Sequence, residues 1–233
     1  MAHAPVDPVK KQLLDAALPH VVFDGWSDAT FDAAVAEVGI NPDHARTLCP
    51  RGAVDLAILF HEEGDRAMVA AIKDADFTDM RFRDKVAKAI RLRLAAVPDK
   101  EIVRRGTTLF ALPHLAADGA RLIWGTADAI WTALGDTSDD LNWYSKRSIL
   151  SAVYASTILF WLGDTSPDDA ATDAFIDRRI ENVMQFEKVK AQINANPALK
   201  PLTGALGRMA AAIKAPRRMP DMNDLPGMWR DPS

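Results

Sequence analysis

The sequence has a single cysteine, Cys49, so no disulfide can close within the chain and no zinc or iron–sulfur site can be built on its thiols alone. That fits a reducing compartment and excludes a secreted disulfide scaffold. Long apolar runs are lacking too. The longest nearly uncharged stretch, residues 149–162 (ILSAVYASTILFWL), has 14 residues, against the ~20 needed to cross a bilayer. It reads as a buried helix. Residues 1–11 hold two prolines and an acid before any apolar run begins, so no targeting leader is expected and a cytoplasmic location is. Short alternating runs of the kind a sheet requires are missing as well, which leaves an all-α protein.

Catalytic signatures are equally scarce. The five histidines, His3, His20, His44, His61 and His114, lie on separate segments, and no two stand at the i, i+4 spacing that places two imidazoles on one helical face. Glu-x-x-His, the carboxylate–imidazole pair of di-iron bundles, does not occur. Glycine-rich phosphate loops and the Gly-x-Ser-x-Gly elbow are also missing. His61-Glu62-Glu63 is the nearest thing to a ligand cluster, yet adjacent helical residues diverge by about 100°. It is expected to be a solvated face. No cofactor, no metal and no enzymatic activity are expected.

What is present is an ordinary globular composition: 233 residues, 48% apolar, 26% charged, formal net charge −4. A chain of this size removes roughly 70–75% of its unfolded surface from water, so it needs no staple. Helix punctuation then divides it. A first helix over about residues 8–23 stops before Asp24-Gly25. Ser27 caps a second over 28–38, closed by Gly39, and Asn41-Pro42 opens a third that ends near Cys49-Pro50. Longer segments follow over about 53–75, 77–97, 99–112, 114–134, 140–162 and 168–191, separated by Pro98, Pro113, Gly135 and 163–167. The expected organisation is a three-helix head (1–52), a helical bundle (53–192) and a proline-punctuated tail (193–233). LGDTSDD (134–140) and LGDTSPDD (162–169) echo each other as two similar turns, each a C-cap glycine followed by capping residues.

The head has helix-turn-helix geometry in outline, which raises DNA binding. Phosphate contact needs positive charge, but residues 24–46 carry five acids (Asp24, Asp28, Asp32, Glu37, Asp43) against one base, Arg46. His44, Arg46 and Thr47 would be the only readers, so no nucleic-acid partner is expected. A DNA-binding regulator is the alternative reading.

The tail carries the sharper signal. Leu202, Ala205, Leu206, Met209, Ala210 and Ile213 form one stripe at helical spacing, while Lys200, Arg208, Lys214, Arg217 and Arg218 are five bases with no acid between residues 200 and 220. Such a helix suits an anionic membrane surface, with Lys200, Leu202, Leu206, Arg208, Met209, Ile213, Lys214, Arg217 and Arg218 as contact residues. Docking of the stripe on a bundle is the other possibility. Residues 149–162 are apolar on every side, and a helix between its own bundle and a second subunit satisfies that, so a homodimer through the last bundle helices is expected. Trp143-Tyr144 followed by Lys146-Arg147 has the composition of an interface hot spot.

The head segment LLDAALPHVVFDGWSDATFDAAVAEVGINPDHARTLCPRGAVDLAILFH (13–61) and WGTADAIWTALGDTSDDLNWYSKRSILSAVYASTILFWLGDTSPD (124–168), with its Gly-Asp-x-Ser and Asn-Trp-Tyr motifs, resemble a family of ubiquinone biosynthesis accessory proteins. That family is the ninth of the numbered coenzyme Q proteins, here in its alphaproteobacterial form. The resemblance implies a TetR-regulator-like fold with a degenerate helix-turn-helix head, a homodimer, an apolar pocket for isoprenoid quinone or phospholipid, and a C-terminal amphipathic helix on the inner membrane. It also implies a partner, the di-iron hydroxylase of demethoxyubiquinone, met at Trp143 and Tyr144 with Lys146 and Arg147 beside them. Pocket walls are expected from Phe110, Leu112, Trp124, Trp131, Tyr154 and Phe160.

Overall fold

The computed structural model describes residues 6–195. The expected membrane-contact residues of the tail (Lys200 to Arg218) lie outside the described residues. Among the described residues the chain is helical throughout: α1 (Pro8–Asp24), α2 (Asp28–Val38), α3 (Pro42–Leu48), α4 (Ala53–Asp74), α5 (Phe82–Ala95), α6 (Lys100–Phe110), α7 (Ala116–Ala133), α8 (Leu141–Gly163) and α9 (Ala170–Ala195), with a short 3₁₀ turn at Pro167–Asp169. The all-α expectation holds.

Local chemistry fixes the starts. The Asp7 carboxylate accepts from the amides of Val9 and Lys10, with Pro8 in the first turn, where its missing N–H costs nothing. Ser27 accepts from the Thr30 amide, and Asn41 from those of Asp43 and His44 ahead of Pro42. Gly39 turns the chain between α2 and α3 at φ +72°, in the left-handed region where a side chain would be strained.

One boundary differs from the sequence reading. The fifth helix begins at Phe82, not near residue 77, because Asp76 accepts from the Thr78 amide, Met80 N–H donates to the Phe77 carbonyl, and Asp79 sits at φ +58°. Those local bonds compete with the helix ladder and hold a turn instead.

Two cores share α4. Leu13, Leu14, Ala17 and Val21 of α1, Phe31 and Ala34 of α2, and Leu56 of α4 close around Trp26 and Ile102 in the head. Met68 and Ile72, further along α4, pack with Ile90 of α5, Ile130 of α7, Tyr154 and Trp161 of α8, and Ile176 of α9 in the bundle. The division expected at residue 52 therefore separates helices but not cores. The first turns of α4 complete the head, and the helix carries it rigidly into the bundle.

The apolar α8 segment buries one stripe, Leu150, Val153, Tyr154, Thr157, Ile158, Trp161 and Leu162, whereas Leu159 is 64% exposed. The described residues thus cover only one face of a helix that is apolar all round.

Candidate functional site

The two LGDTS turns use one device. In the first, Asp136 accepts from the hydroxyl of Ser138 (2.8 Å) and then from α8, through Lys146 Nζ (2.8 Å) and Arg147 Nη1 (3.0 Å). In the second, Asp164 accepts from the Ser166 amide (2.8 Å) and from the amide (2.7 Å) and hydroxyl (2.5 Å) of Thr172 in α9. Each carboxylate folds its own turn and tethers the next helix. The Asp136 side chain is buried. Burial pulls its pKa up, but the bonds from Lys146, Arg147 and Ser138 outweigh that and hold it at about 2.

Arg147 departs from the expectation that it contacts a partner, because it has no solvent exposure at all. Its Nε donates to Asp128 (2.5 Å), and Nη1 donates to Asp136 and to the Trp143 carbonyl (3.2 Å), so three places in the chain are spanned by one guanidinium. Its Nη2 is buried and meets no acceptor among the described residues. The same group lies 4.0 Å from the Trp143 ring centroid, a cation–π contact in a place shielded from water. Trp143 in turn packs edge-on against Tyr144 (4.8 Å between centroids, 80°) and tilts against Trp124 (5.9 Å). Trp143 and Tyr144 are half-buried. They form a fixed aromatic surface at the start of α8. Lys146, also half-buried, is engaged by Asp136 and Ser138 and lies 5.1 Å over the Trp131 ring.

The six expected pocket residues are dispersed. Phe110 packs against the head core and Leu112 is 43% exposed. Trp124 serves the Trp143 surface. Trp131 stacks on Phe82 (5.3 Å) and donates its indole N–H to the Lys146 carbonyl (3.1 Å). Phe160 stacks on Phe175 of α9 (4.3 Å). Tyr154 is fully enclosed. Each of the six is thus engaged in a different place, five of them in separate side-chain contacts and Leu112 at the surface.

Sequence reasoning missed a buried polar cluster at the centre of the bundle. His61, expected to face solvent, hydrogen-bonds through Nε2 with the Thr126 hydroxyl at 2.8 Å. Thr126 donates to Asp65 (2.9 Å), Arg93 Nε donates to Asp65 (2.7 Å), and Arg93 Nη2 donates to the His61 carbonyl (3.1 Å). The single hydroxyl proton of Thr126 goes to the carboxylate, so His61 Nε2 carries the proton it donates. Arg93 is 3% exposed. Its guanidinium lies flat against Gly64, where an added Cβ would come within 2.6 Å of Nη1. That mid-helix glycine, beside a His and an Asp one turn apart, was the available signal. Tyr154 is fully enclosed nearby, and burial pushes its pKa to about 12.

Burial also drives His61 down to about 4 from its ordinary 6.5, with Asp65 opposing. The folded protein therefore holds this imidazole neutral where the unfolded chain protonates it. The contribution is complete above pH 6.5 and is lost as pH falls from 6.5 to 4, weakening the fold by about 3 kcal/mol. Urea denaturation across that window is expected to show the slope, and His61→Gln, which keeps a donor to Thr126, is expected to flatten it.

Among the described residues there is no group of His, Cys, Asp and Glu that could hold a metal, and no helix is long and apolar enough to cross a membrane. Arg46, the one base among residues 24–46, is held in ion pairs with Asp28 (3.3 Å) and Asp32 (3.7 Å) and lies over the Phe31 ring.

This order of helices, a three-helix head carried by α4 on a bundle that ends in two long helices, defines a TetR-like fold. The TetR transcriptional regulator from Nitrosomonas europaea ATCC 19718 superposes with a TM-score of 0.62 over 75% of this chain and 97% of that one, at 19% sequence identity. The COQ9 family model matches residues 116–187, the segment that holds α7, α8 and the Trp143 surface. The probable ubiquinone biosynthesis protein coq9, mitochondrial, of Dictyostelium discoideum is 29% identical over 194 residues, covering 79% of this chain and 62% of that protein. The human mitochondrial ubiquinone biosynthesis protein COQ9 is 24% identical, with 81% and 62% covered. COQ9-A of Xenopus laevis is 28% identical, with 89% and 66% covered. The chain is thus similar to COQ9 proteins, as its motifs implied, and spans about 62% of the length of the first two of these relatives.

Proposed function

We propose that this chain is a lipid-binding accessory protein of ubiquinone biosynthesis, without catalysis of its own. It takes up isoprenoid quinone precursors at an anionic membrane surface and presents them to the di-iron hydroxylase of demethoxyubiquinone. The observation that carries this reading is the Trp143–Tyr144 surface, which lies inside the COQ9-matching segment and is held in one geometry from below by the fully buried Arg147. Rigid aromatics in front of an immobilised arginine are the composition of a protein-binding hot spot. The outward face of α8, with Leu159 open to solvent, supports a homodimer through α8 and α9. The relatives are named as mitochondrial; for this chain the proposed place is the cytoplasmic face of the inner membrane, peripherally bound by residues 200–218.

A DNA-binding regulator would share the fold. The acidity of residues 24–46 and the engagement of Arg46, their one base, by Asp28 and Asp32 argue against it, since phosphate contact needs positive charge.

The test pairs lipid with partner. Protein incubated with phosphatidylglycerol vesicles containing a long-chain ubiquinone, then re-isolated and extracted, is expected to carry quinone, and it is expected to retain the hydroxylase on an affinity column. Trp143→Ala is expected to keep the quinone, the dimer and the fold while losing the hydroxylase. Undiminished retention by the variant would remove this surface from the interface, and a quinone-free wild type would overturn the carrier role.

A further inference from the structure

The helix contacts of the bundle are not alike. α5 and α9 meet through a row of ion pairs. Arg91 donates to the carboxylates of Asp173 (2.8 Å) and Asp177 (3.0 Å) and to the Asp173 carbonyl (3.2 Å), and Arg83 reaches Glu181 (2.9 Å). All of these groups are at least a third exposed, so the pairs are weak and screened by salt.

Open grooves, lined largely by charged side chains, flank the same seam. A cleft of about 430 Å³ opens beside Arg83, Ala87, Asp177 and Ile180. A second, of about 360 Å³, opens on the other side of the Arg91 clamp beside Leu94, Pro98, Trp161 and Asp173. Beneath the clamp lies the bundle core itself: Val86, Ala87 and Ile90 of α5 face Ile176, which is fully enclosed, and Ile180.

Backbone strain marks both helices as well. Among the described residues, the non-glycine positions with positive φ are Asp79 (+58°), Asp168 (+52°) and Asp169 (+56°). Asp79 lies just before α5, and the other two lie immediately before α9. Such residues cost energy in place.

Polar closure, flanking grooves and strained lead-in turns thus coincide on one seam, directly over the core. We propose that the α5–α9 seam is the portal through which the apolar tail of a lipid enters the bundle. The Arg91–Asp173–Asp177 clamp is its latch, and Asp79 and Asp168–Asp169 are the points about which the helices part. This rests on the lipid-carrying role proposed above. It accounts for the dispersal of the expected pocket residues among separate contacts, because the space is made by opening this seam.

The test is a reversible lock. Arg83→Cys with Glu181→Cys places two thiols where the native side chains meet, and Cys49 is buried, so a short reducible bis-maleimide bridges only the engineered pair. Incubated with phosphatidylglycerol vesicles containing a long-chain ubiquinone, the unbridged variant is expected to load quinone, the bridged one to load none, and reduction of the bridge to restore loading. A bridged protein that loads as fast as the unbridged one overturns the portal while leaving the carrier role standing. A wild type that loads nothing overturns the carrier role and the portal with it. Arg91→Gln supplies an independent arm, with faster loading than wild type at low salt and loss of the acceleration that added salt brings to the wild type. Loading at an unchanged or slower rate would overturn the latch.

Discussion

Arg147→Ala is expected to destabilise the protein by about 3–5 kcal/mol, the usual cost of removing one member of a buried charge cluster. The guanidinium is fully enclosed and supplies donors to Asp128, Asp136 and the Trp143 carbonyl at once. Without it, Asp136 keeps only Lys146 and Ser138, and the start of α8 loses its tie to the preceding turn. Urea denaturation is expected to show a lower midpoint at unchanged slope. Adding Asp136→Asn to the variant is expected to recover part of the loss, because it removes the carboxylate charge left short of cation. A loss below about 1 kcal/mol would place these pairs in the class of surface ion pairs and contradict the burial. The acid limb is separate from that of His61. Asp136 is held at about 2 against an ordinary 3.8, so its contribution is complete above pH 4 and falls as pH drops toward 2.

The same arginine shows what could be read from the sequence and what could not. Helix identity and most boundaries followed from punctuation, since Asp7-Pro8, Ser27, Asn41-Pro42 and Asp140 cap through bonds to amides two or three residues on, a relation confined to one turn of chain. Phe77 to Arg81 was misread for a related reason: Asp76 and Asp79 stabilise a turn whose strength against the helix depends on backbone geometry, not on apolar spacing. Lys146 and Arg147 stand out in the sequence as bases beside aromatics, but their exposure depends on residues brought from α7 and the 134–140 turn. Arg147 therefore holds the surface up from beneath. The TetR-like fold and the COQ9 relationship came from motifs, and the dispersal of the six aromatic and apolar pocket candidates shows the limit of assigning a cavity from residue type. Large apolar side chains fill helix contacts by default.

Asp65→Ala is expected to be as damaging as the loss of Arg147, again about 3–5 kcal/mol, and it tests the cluster that the sequence concealed. His61 and Asp65 stand one turn apart on α4 and look like a solvated stripe. Their partners arrive from α5 and α7, 28 and 61 positions beyond Asp65. Removing the carboxylate leaves Arg93, 3% exposed, with the His61 carbonyl as its remaining hydrogen-bond acceptor among the described residues, and leaves the Thr126 hydroxyl proton only the longer bond to the Leu122 carbonyl (3.2 Å). Asp65→Asn keeps an acceptor while removing the charge, so it is expected to fall between wild type and alanine. The decisive comparison is Asp65→Leu with Arg93→Met, which deletes both charges and refills the volume. Because burying a matched pair roughly balances its desolvation, that double variant is expected to regain most of the stability that Asp65→Ala loses. If it stays as unstable as the single variant, the cluster is needed for its hydrogen-bonded geometry, with Gly64 and Arg93 fixing how α4 and α5 approach. If it recovers and still loads quinone, the cluster serves the fold alone.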